Sequence, residues 1–375
     1  MDALMLPSNW QRVRLGDIAE IIGGGTPSTQ TTSFWNGSIN WFTPTEIGIT
    51  KYVYKSQRTI TLLGLKKSST KLLPIGTILL TSRASIGDCA ILKVVATTNQ
   101  GFQSLIPLEK INNEFLYYLI LTLKNKLLKL ASGSTFLEVS PNKIKNLLIP
   151  LPPLNEQIAI ANILSDVDRY LYSLDALILK KESVKKALSF ELLSQRKRLK
   201  GFNQAWQRVR LGDILTLKHG RDYKNFKLGN IPVYGSGGYM LSINNFLHNG
   251  ESVCIGRKGT IDKPIYLNGK FWVVDTLFYS YSFKKSIPKF IFYAFSIIKW
   301  SNYNEATGVP SLTKMTISNI EIPLPPLDEQ IAIANILSAL DHEIISLKNK
   351  KRQFENIKKA LNHDLMSAKI RVLKQ

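Results

Sequence analysis

The stretch LPPLNEQIAIANILSDVD at residues 151–168 recurs as LPPLDEQIAIANILSALD at residues 324–341, and fifteen of the eighteen positions are identical. A second segment, WQRVRLGDI, occurs without change at residues 10–18 and 206–214. Repeats of this length indicate an internal duplication, in which one structural unit is encoded twice in the same chain.

The two repeats divide the chain into four segments. We predict a first module at residues 1–153, a central long helix at 154–200, a second module at 201–326 and a C-terminal long helix at 327–375. The repeat offsets are 196 and 173 residues, so the second module is shorter by 196 − 173 = 23 residues. Each module carries a formal net charge of +8 and each helical segment +3, which together give the total of +22.

The duplicated LPPL segment is typical of a helix start. Proline disfavours helical backbone in the residue before it, so each helix should begin after its proline pair. Asn155 and Asp328 are good N-cap residues, and Glu156 and Glu329 place negative charge in the first turn. Each helix can extend over about 40 residues, or roughly 60 Å at the rise of an α-helix.

Apolar residues follow an imperfect heptad rhythm along both predicted helices, which lysines such as Lys185 and Lys358 interrupt. A long helix with one apolar stripe needs a packing partner. The other long helix of the chain is the nearest candidate, and an antiparallel pair is topologically simple. We therefore expect Ile158, Leu164 and Leu171 to be buried.

Both modules combine strand-like and helix-like stretches. TILLTSR at residues 77–83 and SVCIGRKGT at 252–260 are typical of strands that run into basic or glycine-rich turns. Asn268 and Gly269 predict a hairpin turn, and FWVVDTLFYSYS after it favours a strand. FLYYLI in the first module and FIFYAF in the second favour helices. The predicted fold class is α+β, with two globular mixed α/β modules separated by a pair of long antiparallel coiled-coil helices and related by an internal pseudo-twofold repeat.

The composition favours a globular protein that binds a polyanion. The 375 residues include 49 basic and 27 acidic side chains, so nucleic acid is the first candidate partner and an anionic membrane the second. No apolar run approaches the roughly 18 residues of a membrane span, and the first residues lack the pattern of a signal peptide. With Cys89 and Cys254 alone, a disulfide framework is not expected, and we predict a cytoplasmic protein.

The sequence contains no recognisable catalytic or metal-binding motif. A phosphate-binding GxxxxGK(S/T) loop and a GxSxG nucleophile elbow are both absent. The four histidines lie at no metal-ligand spacing, and the two PP dipeptides lack the aromatic residue expected in an adenine methyltransferase motif. We therefore predict no catalytic residue, metal or cofactor in this chain. A nuclease with scattered carboxylates remains an alternative, as does a structural coiled-coil scaffold.

Taken together, the motifs resemble the specificity (S) subunit of type I restriction-modification systems. The resemblance covers essentially the whole chain. It rests on PLPPxxEQxxIAxxL at the head of both helices, WxxVxLGDI at the head of both modules, GGTPST at residues 24–29, LLTSRASIGDCAI at 79–91, NQGFQSL at 99–105 and IGRKGT at 255–260.

The resemblance implies that each module is a target recognition domain that reads one half of a bipartite, asymmetric double-stranded DNA site. It implies that the helices fix the spacer, and that the near-identical repeats bind two copies of a methyltransferase (M) subunit. That partner transfers a methyl group from S-adenosylmethionine to adenine, and a restriction (R) subunit can join the complex. The S subunit itself catalyses nothing. A related system, in which one fused subunit both methylates and cleaves, is an alternative.

We predict DNA contacts in both modules, with phosphate contacts more numerous than base contacts. In the first module, which contains the glycine-rich loop, the predicted residues are Thr26, Ser28, Thr29, Lys51, Arg83, Ser134, Thr135 and Lys143. In the second module, which lacks that loop, they are Arg221, Tyr223, Lys224, Tyr234, Ser236, Arg257, Lys258, Ser311 and Lys314. The residues predicted to bind the M subunits are Glu156, Gln157, Asn162, Glu329, Gln330 and Asn335.

Overall fold

The computed structural model of the chain describes residues 6–133 and 137–372. Its contacts divide the chain into two compact units, Met1–Ser173 with Lys351–Gln375, and Leu174–Lys350. Each unit combines one module with parts of both long helices. This division differs from the four predicted segments, because each long helix is shared between the units.

The first half of the chain ends in a long helix, α4. Its strands are β1 Gln11–Arg14, β2 Ala19–Gly23, β3 Trp35–Phe42, β4 Tyr52–Val53, β5 Arg58–Ile60, β6 Ile78–Leu80, β7 Cys89–Leu92, β8 Ala96–Thr98, β9 Gln103–Pro107 and β10 Leu148–Leu151. Its helices are α1 Leu62–Lys66, α2 Asn113–Leu130, α3 Pro141–Lys145 and α4 Leu154–Leu193, with 3-10 turns at Leu15–Asp17, Thr32–Phe34 and Pro44–Glu46.

The second half ends in a long helix, α8. Its strands are β11 Gln207–Arg210, β12 Thr216–His219, β13 Leu228–Gly235, β14 Gly238–Ile243, β15 His248–Asn249, β16 Ser252–Gly256, β17 Ile265–Leu267, β18 Lys270–Val273, β19 Leu277–Tyr281 and β20 Glu321–Leu324. Its helices are α5 Leu211–Ile214, α6 Pro288–Ile297, α7 Lys314–Asn319 and α8 Leu327–Met366, with a 3-10 turn at Trp300–Tyr303.

The sheets of the two modules share seven corresponding strands, while β4 in the first module and β15 in the second have no counterpart. The first module has sheets of order β2-β9-β6-β7-β4 and β5-β3-β8, and the second has β12-β19-β16-β17 and β14-β13-β18-β15. In both, one pair is parallel, β3 with β8 and β13 with β18. The pairs β1–β10 and β11–β20 share one register, with Gln11 opposite Leu151 and Gln207 opposite Leu324. The predicted α+β class and internal repeat are confirmed.

Two predictions about the second module were wrong. β17 and β18 flank Gly269, but they do not form a hairpin: β17 pairs with β16, whereas β18 pairs with β13 and β15. FWVVDTLFYSYS is not one strand, because a turn at residues 274–276 separates β18 from β19. In that turn the Leu277 N–H donates to the Val274 carbonyl at 3.0 Å.

The long helices α4 and α8 are 40 residues each and run antiparallel within each unit. In the first unit the Tyr170 and Phe354 rings lie 4.7 Å apart, and Asp168 forms an ion pair with Lys358. Since residue numbers on α8 rise as those on α4 fall, the two helices run in opposite directions.

The second unit repeats the arrangement. Lys181 lies 2.8 Å from Glu343, and Lys185 forms an ion pair with Asp341. Lys181, Lys185 and Lys358, which interrupt the heptad rhythm, therefore face carboxylates of the opposite helix. A cation at these positions replaces an apolar contact with a charge-assisted hydrogen bond, which also fixes the register of the pair.

The helix starts differ in detail from the prediction. The helices begin at Leu154 and Leu327, so Asn155 and Asp328 lie in the first turn instead of capping it. The Pro153 carbonyl accepts from the Glu156 N–H at 3.0 Å. Pro153 therefore stands at the N-cap position, where its carbonyl accepts the first backbone bonds of the helix.

Each unit has its own apolar core. Trp10, Leu15, Phe115 and Leu164 belong to the first, together with Leu365 from the end of α8. The second core has the same build around Leu211, Phe290 and Leu337, with Leu192 from the end of α4. Within the described residues, none of the helices combines the length and apolar character needed to cross a bilayer.

The burial predicted for the helix faces is correct in part. Leu164 is fully buried and Leu171 is half-buried. Ile158, in contrast, is 42% exposed. The apolar stripe is therefore wider at the start of α4 than packing within the chain uses.

Candidate nucleic-acid interface

Four loops converge at one edge of the first module. This first loop cluster comprises residues 24–29, 81–85, 99–101 and the described part of 131–139. Backbone hydrogen bonds join the loops: Gly25 N–H donates to the Thr98 carbonyl at 2.9 Å, and Ser82 N–H to the Gly101 carbonyl at 2.8 Å. Val139 N–H donates to the Ser82 carbonyl at 3.1 Å.

The second module has the same frame. Its second loop cluster comprises residues 220–224, 235–238, 257–260, 274–276 and 304–313. Arg221 N–H donates to the Val273 carbonyl at 2.9 Å, Arg257 N–H to the Thr276 carbonyl at 2.8 Å, and Leu312 N–H to the Arg257 carbonyl at 2.9 Å. The three bonds match those of the first cluster one for one, so the frame is common and the side chains differ.

The second loop cluster encloses an open cleft. Its volume is about 670 Å³. The cleft is lined by Asp222, Tyr223, Lys224, Gly235, Ser236, Gly237, Gly238, Tyr239, Met240, Val274, Asp275 and Thr276. Polar, charged and aromatic side chains thus share one concave surface, as suits contact with base edges and phosphates.

Four of the six predicted DNA contacts of the first module that the structure describes lie in its loop cluster. Thr26, Ser28 and Thr29 are exposed, and the Thr26 hydroxyl donates to the Gln100 Oε1 atom. Arg83 forms an ion pair with Glu138 at 2.8 Å. Ser134 and Thr135 lie outside the described residues. Lys143 is exposed on α3, and its Nζ donates to the Leu130 carbonyl and the Ser132 Oγ, both at 2.9 Å.

Lys51 lies elsewhere. Its side chain is 11% exposed, and its Nζ donates to Tyr118 Oη at 2.9 Å and Ser165 Oγ at 2.8 Å. It also forms an ion pair with Glu114. The structure therefore does not bring Lys51 into the loop cluster, because its ammonium joins the module to α4.

The predicted contacts of the second module all lie in or beside the second loop cluster. Arg221, Lys224, Arg257 and Lys258 are exposed, as is Lys314 at the start of α7. The half-buried members have internal neighbours. Tyr223 packs against a small apolar cluster, the Tyr234 ring lies 6.1 Å from Tyr239, the Ser236 N–H donates to Thr276 Oγ1 at 3.3 Å, and Ser311 pairs with Lys258 in an isolated β-bridge.

The prediction missed two exposed residues at the tips of equivalent loops, Gln100 and Asp275. Gln100 follows β8, and Asp275 follows β18. A signal was present in the sequence, because FLYYLI and FIFYAF align at 290 − 115 = 175 residues and the same offset aligns Gln100 with Asp275. Asp275 was hidden because its surroundings favour a strand.

A repeated three-residue network holds each module on the helices. In the first unit the Tyr118 hydroxyl donates to Asp168 at 2.5 Å, and Lys358 pairs with the same carboxylate. Burial, and then this hydrogen bond, raise the pKa of Tyr118 above its ordinary value. Tyr293, Asp341 and Lys185 repeat the network in the second unit, with Tyr293 donating to Asp341 at 2.8 Å.

The carboxylates predicted to bind a partner are used inside the fold. Glu156 accepts from Trp10 Nε1 at 3.0 Å and from Arg371 Nε at 2.9 Å. Glu329 accepts from Trp206 Nε1 at 2.8 Å and from Arg198 Nη2 at 2.7 Å. We call these sets the first and the second latch: Trp10, Glu156 and Arg371, and Trp206, Glu329 and Arg198.

The two glutamines of the helix starts are also internal. Gln157 Nε2 donates to the carbonyls of Lys110 and Pro152 at 3.1 and 2.9 Å. Gln330 Nε2 donates to Lys285 and Pro325 at 2.9 and 2.8 Å. These internal hydrogen bonds explain why the same glutamine occurs in both copies. A direct contact of Gln157 or Gln330 with an M subunit stays a prediction, and the burial of both side chains disfavours it.

Other residues of the helix starts are exposed in both copies. Leu154, Ile158 and Asn162 recur as Leu327, Ile331 and Asn335. The apolar members are 46% and 42% exposed on α4, and 47% and 44% exposed on α8. Because the spacing is four residues, each set lies along one helix face. We call these sets the duplicated helix-start surfaces.

A groove of about 460 Å³ adjoins the second of these surfaces. Gln207, Asp213 and Leu327 are among its lining residues, and the prolines of the LPPL segment complete that side. The first half of the chain has Gln11, Asp17 and Leu154 at the matching positions. Packing inside the chain does not explain why these exposed residues are identical in the two halves.

A family model described as the type I restriction modification DNA specificity domain matches the chain twice, at residues 7–181 and 203–356. The type I restriction enzyme MjaIX specificity subunit of Methanocaldococcus jannaschii is 29% identical over 413 residues, which cover 98% of this chain and 95% of that protein. The EcoR124I/EcoR124II specificity subunit of Escherichia coli is 38% identical over 161 residues, covering 41% and 40%.

Solved structures agree on the fold. The S subunit of a type I restriction-modification system from M. genitalium has a TM-score of 0.63 at 19% identity, covering 97% of this chain and 98% of that one. The HsdS subunit from Thermoanaerobacter tengcongensis has a TM-score of 0.54 at 19% identity, covering 98% of this chain and 99% of that one.

The two copies of one DNA specificity domain and the paired long helices place the chain in the class of DNA specificity proteins. The chain belongs to the family of type I restriction-modification DNA specificity domains. It is a non-catalytic specificity subunit that supplies DNA sequence specificity to a restriction-modification complex, and the resemblance noted from the motifs is confirmed.

Proposed function

We propose that the two loop clusters read the two halves of a bipartite, asymmetric DNA site, one half each. The observation that carries the proposal is a common backbone frame with different side chains at its tips. A common frame places two modules on DNA in the same way, while different tips select different bases. The net charge of +22 supplies the sequence-independent attraction to phosphate.

The duplicated helix-start surfaces bind two copies of one methyltransferase subunit in this proposal. Identical surfaces suit identical partners, and an exposed apolar stripe flanked by polar groups is typical of a protein interface. Asn162 and Asn335 are the predicted subunit-binding residues that remain on these surfaces. The four buried polar residues act indirectly, because they hold the helix start on its module.

The catalytic steps are carried out by the partner subunits in this proposal. The methyltransferase subunit uses S-adenosylmethionine to methylate adenine, and a restriction subunit joins to cleave. The complex acts on cytoplasmic DNA.

Native mass spectrometry of the co-expressed complex tests the partner surfaces. The wild-type chain should carry two methyltransferase subunits. Leu154→Asp with Ile158→Asp should reduce the ratio to one, as should Leu327→Asp with Ile331→Asp. A variant altered at both surfaces should bind no methyltransferase subunit. Val184→Asp is the matched control, because Val184 is 45% exposed on α4 outside the surface.

Sequencing of methylated adenines tests the DNA proposal. Cells that carry the wild-type chain and its partner should show one bipartite methylated motif. A contiguous methylated motif would contradict the proposal about DNA. Retention of two methyltransferase subunits by the chain altered at both surfaces would contradict the proposal about the partner surfaces.

A further inference from the structure

We propose that Gln100 reads an A·T base pair in one half-site, and that Arg257 together with Asp275 reads a G·C base pair in the other. The inference rests on the proposed function and adds to it the identity of base-reading side chains. It starts from the equivalence of two loop tips that lie in the same frame but carry different chemistry.

The equivalence of the loops follows from strand pairing. Thr81 lies opposite Phe102 in the first module, and Gly256 lies opposite Leu277 in the second. Both residues of the second pair follow those of the first by 256 − 81 = 277 − 102 = 175 positions. The same offset makes Asp275 the equivalent of Gln100.

The offset also places Arg257 on Ser82. The buried Ser82 hydroxyl donates to the Gly101 carbonyl at 3.2 Å, whereas the exposed Arg257 donates from Nη1 to the Asp275 carbonyl at 3.2 Å. In both modules this side chain is tied to the neighbouring tip loop. Only the second module thereby gains a guanidinium at this position, bonded to the backbone of the tip residue Asp275.

Gln100 is positioned by its loop. The Asn99 N–H donates to the Phe42 carbonyl at 3.0 Å, and the Gly101 N–H donates to Asn99 Oδ1 at 2.8 Å, so the backbone on both sides of Gln100 is held. The Thr26 hydroxyl donates to Gln100 Oε1. This bond orients the amide and leaves one lone pair of Oε1 and both N–H groups for a ligand.

An adenine edge matches that presentation. In the major groove, adenine offers N6 as a donor and N7 as an acceptor, and a glutamine amide satisfies both at once. Guanine offers two acceptors at the same positions, so the Oε1 of Gln100 would face an oxygen without a proton between them. The preorganised amide therefore discriminates in favour of adenine.

Arg257 and Asp275 match a G·C pair. Guanidinium N–H groups bind guanine O6 and N7 in a bidentate manner, and a carboxylate accepts from cytosine N4. Arg257 Nη1 donates to the backbone carbonyl of Asp275, so the guanidinium is held against the loop that presents the exposed Asp275 carboxylate. The remaining guanidinium donors are sufficient for guanine.

Neighbouring charged residues are less suited to base reading. Arg83 is paired with Glu138, and the Asp222 carboxylate accepts from the Tyr223 N–H at 2.7 Å. Lys258 lacks a planar fork and suits phosphate. Gln100, Arg257 and Asp275 combine an exposed position on the common frame with side-chain geometry that can select a base.

The test uses the full chain co-expressed with its methyltransferase subunit, and it reads the motif by sequencing methylated adenines. Gln100→Ala should relax one A·T position of one half-site and leave the other half unchanged. Asp275→Asn and Arg257→Lys should each relax one G·C position in the opposite half. The preference for the specified base should fall by roughly 5- to 150-fold.

Gln57→Ala and Glu321→Gln are the matched controls, because each makes a like change on an exposed residue of the same module outside the loop cluster. Both should keep the wild-type motif. If a tip variant loses all methylation, the purified complex is titrated with duplexes that carry each of the four base pairs at that position. A loss confined to the specified pair supports the inference, and an equal loss on all four overturns it.

The remaining outcomes separate the two levels of the argument. A wild-type bipartite motif that the tip variants leave unaltered overturns the inference and leaves the proposed function standing. Relaxation at a base pair of the other kind also overturns it. A wild-type complex without a bipartite motif overturns the proposed function, and the inference with it.

Discussion

The latches and the loop clusters show two ways in which a duplicated chain has changed. The two latches keep the same tryptophan, glutamate and arginine with nearly the same bond lengths. The loop clusters keep their backbone bonds and exchange their side chains. Buried polar groups tolerate little change, because each needs its partner, whereas exposed tips on a rigid frame can vary freely.

The largest expected effect comes from removing a latch. Glu156→Ala leaves the buried Trp10 N–H without its acceptor and removes the partner of Arg371. We expect a loss in the free energy of unfolding of about 3 kcal/mol or more, from charge-assisted bonds in a buried site. Glu329→Ala should cost a similar amount. Urea unfolding of both variants measures this, and clearly unequal losses would show that the latches are not equivalent.

The tyrosine networks should give an intermediate effect. Tyr118→Phe and Tyr293→Phe each remove one hydrogen bond to a carboxylate, which is worth about 1.5–3 kcal/mol. The loss should be larger for Tyr118, because Lys51 also donates to its hydroxyl at 2.9 Å. Denaturant midpoints of the two variants, with the exposed Tyr172→Phe as control, decide the order.

The same tyrosines predict a dependence on alkaline pH. Burial raises the pKa of both Tyr118 and Tyr293 above the ordinary value of 10.0. A raised pKa means that the folded state holds the proton more tightly, so this stability is complete below about pH 10 and is lost as the pH rises beyond it. Unfolding measured between neutral pH and pH 11 should show a smaller decline in the double phenylalanine variant than in the wild type.

The smallest effect concerns a charge in which the loop clusters differ. Arg83 is paired with Glu138, while Ser311 stands at the position equivalent to Glu138. Glu138→Gln should free Arg83 for a phosphate and steepen the salt dependence of DNA binding by about one unit of slope. Lys258→Gln should make it shallower by a similar amount. Binding titrations over a range of salt concentrations measure both, with Glu109→Gln as control, and an unchanged slope for Glu138→Gln would mean that Arg83 does not meet phosphate.

Much of the fold could be predicted because duplication marks what is structural. The identical segments located the helix starts and the boundaries of the two modules. The predictions failed for residue types that occur in several structural environments, such as isoleucine in a core or an interface and lysine in an ion pair or a DNA contact. Ile158 looks like core on periodicity alone, and Lys51 looks like a DNA contact until Glu114 and Tyr118 are seen beside it.

The candidate site was predicted less completely, since loops are joined by backbone bonds that leave no trace in residue type. Thr26 was found through its glycine-rich loop, but its partner Gln100 lies 74 residues further along the chain. Asp275 was concealed by strand-forming neighbours. Comparison of the two modules at the level of pairing, more than either sequence alone, made these positions equivalent.

The latches also have a consequence for gene architecture. Arg198 follows α4 and Arg371 follows α8, and they are separated by 371 − 198 = 173 residues, the offset of the helix starts themselves. Arg371 also donates to Asn9 at 3.2 Å, so the two extremities of the described chain meet in the first unit. A short linker could therefore join these two extremities within the first unit. We expect a circular permutant that joins these extremities through a short linker, and opens near Gly201, to retain the pairings of strands and helices described above.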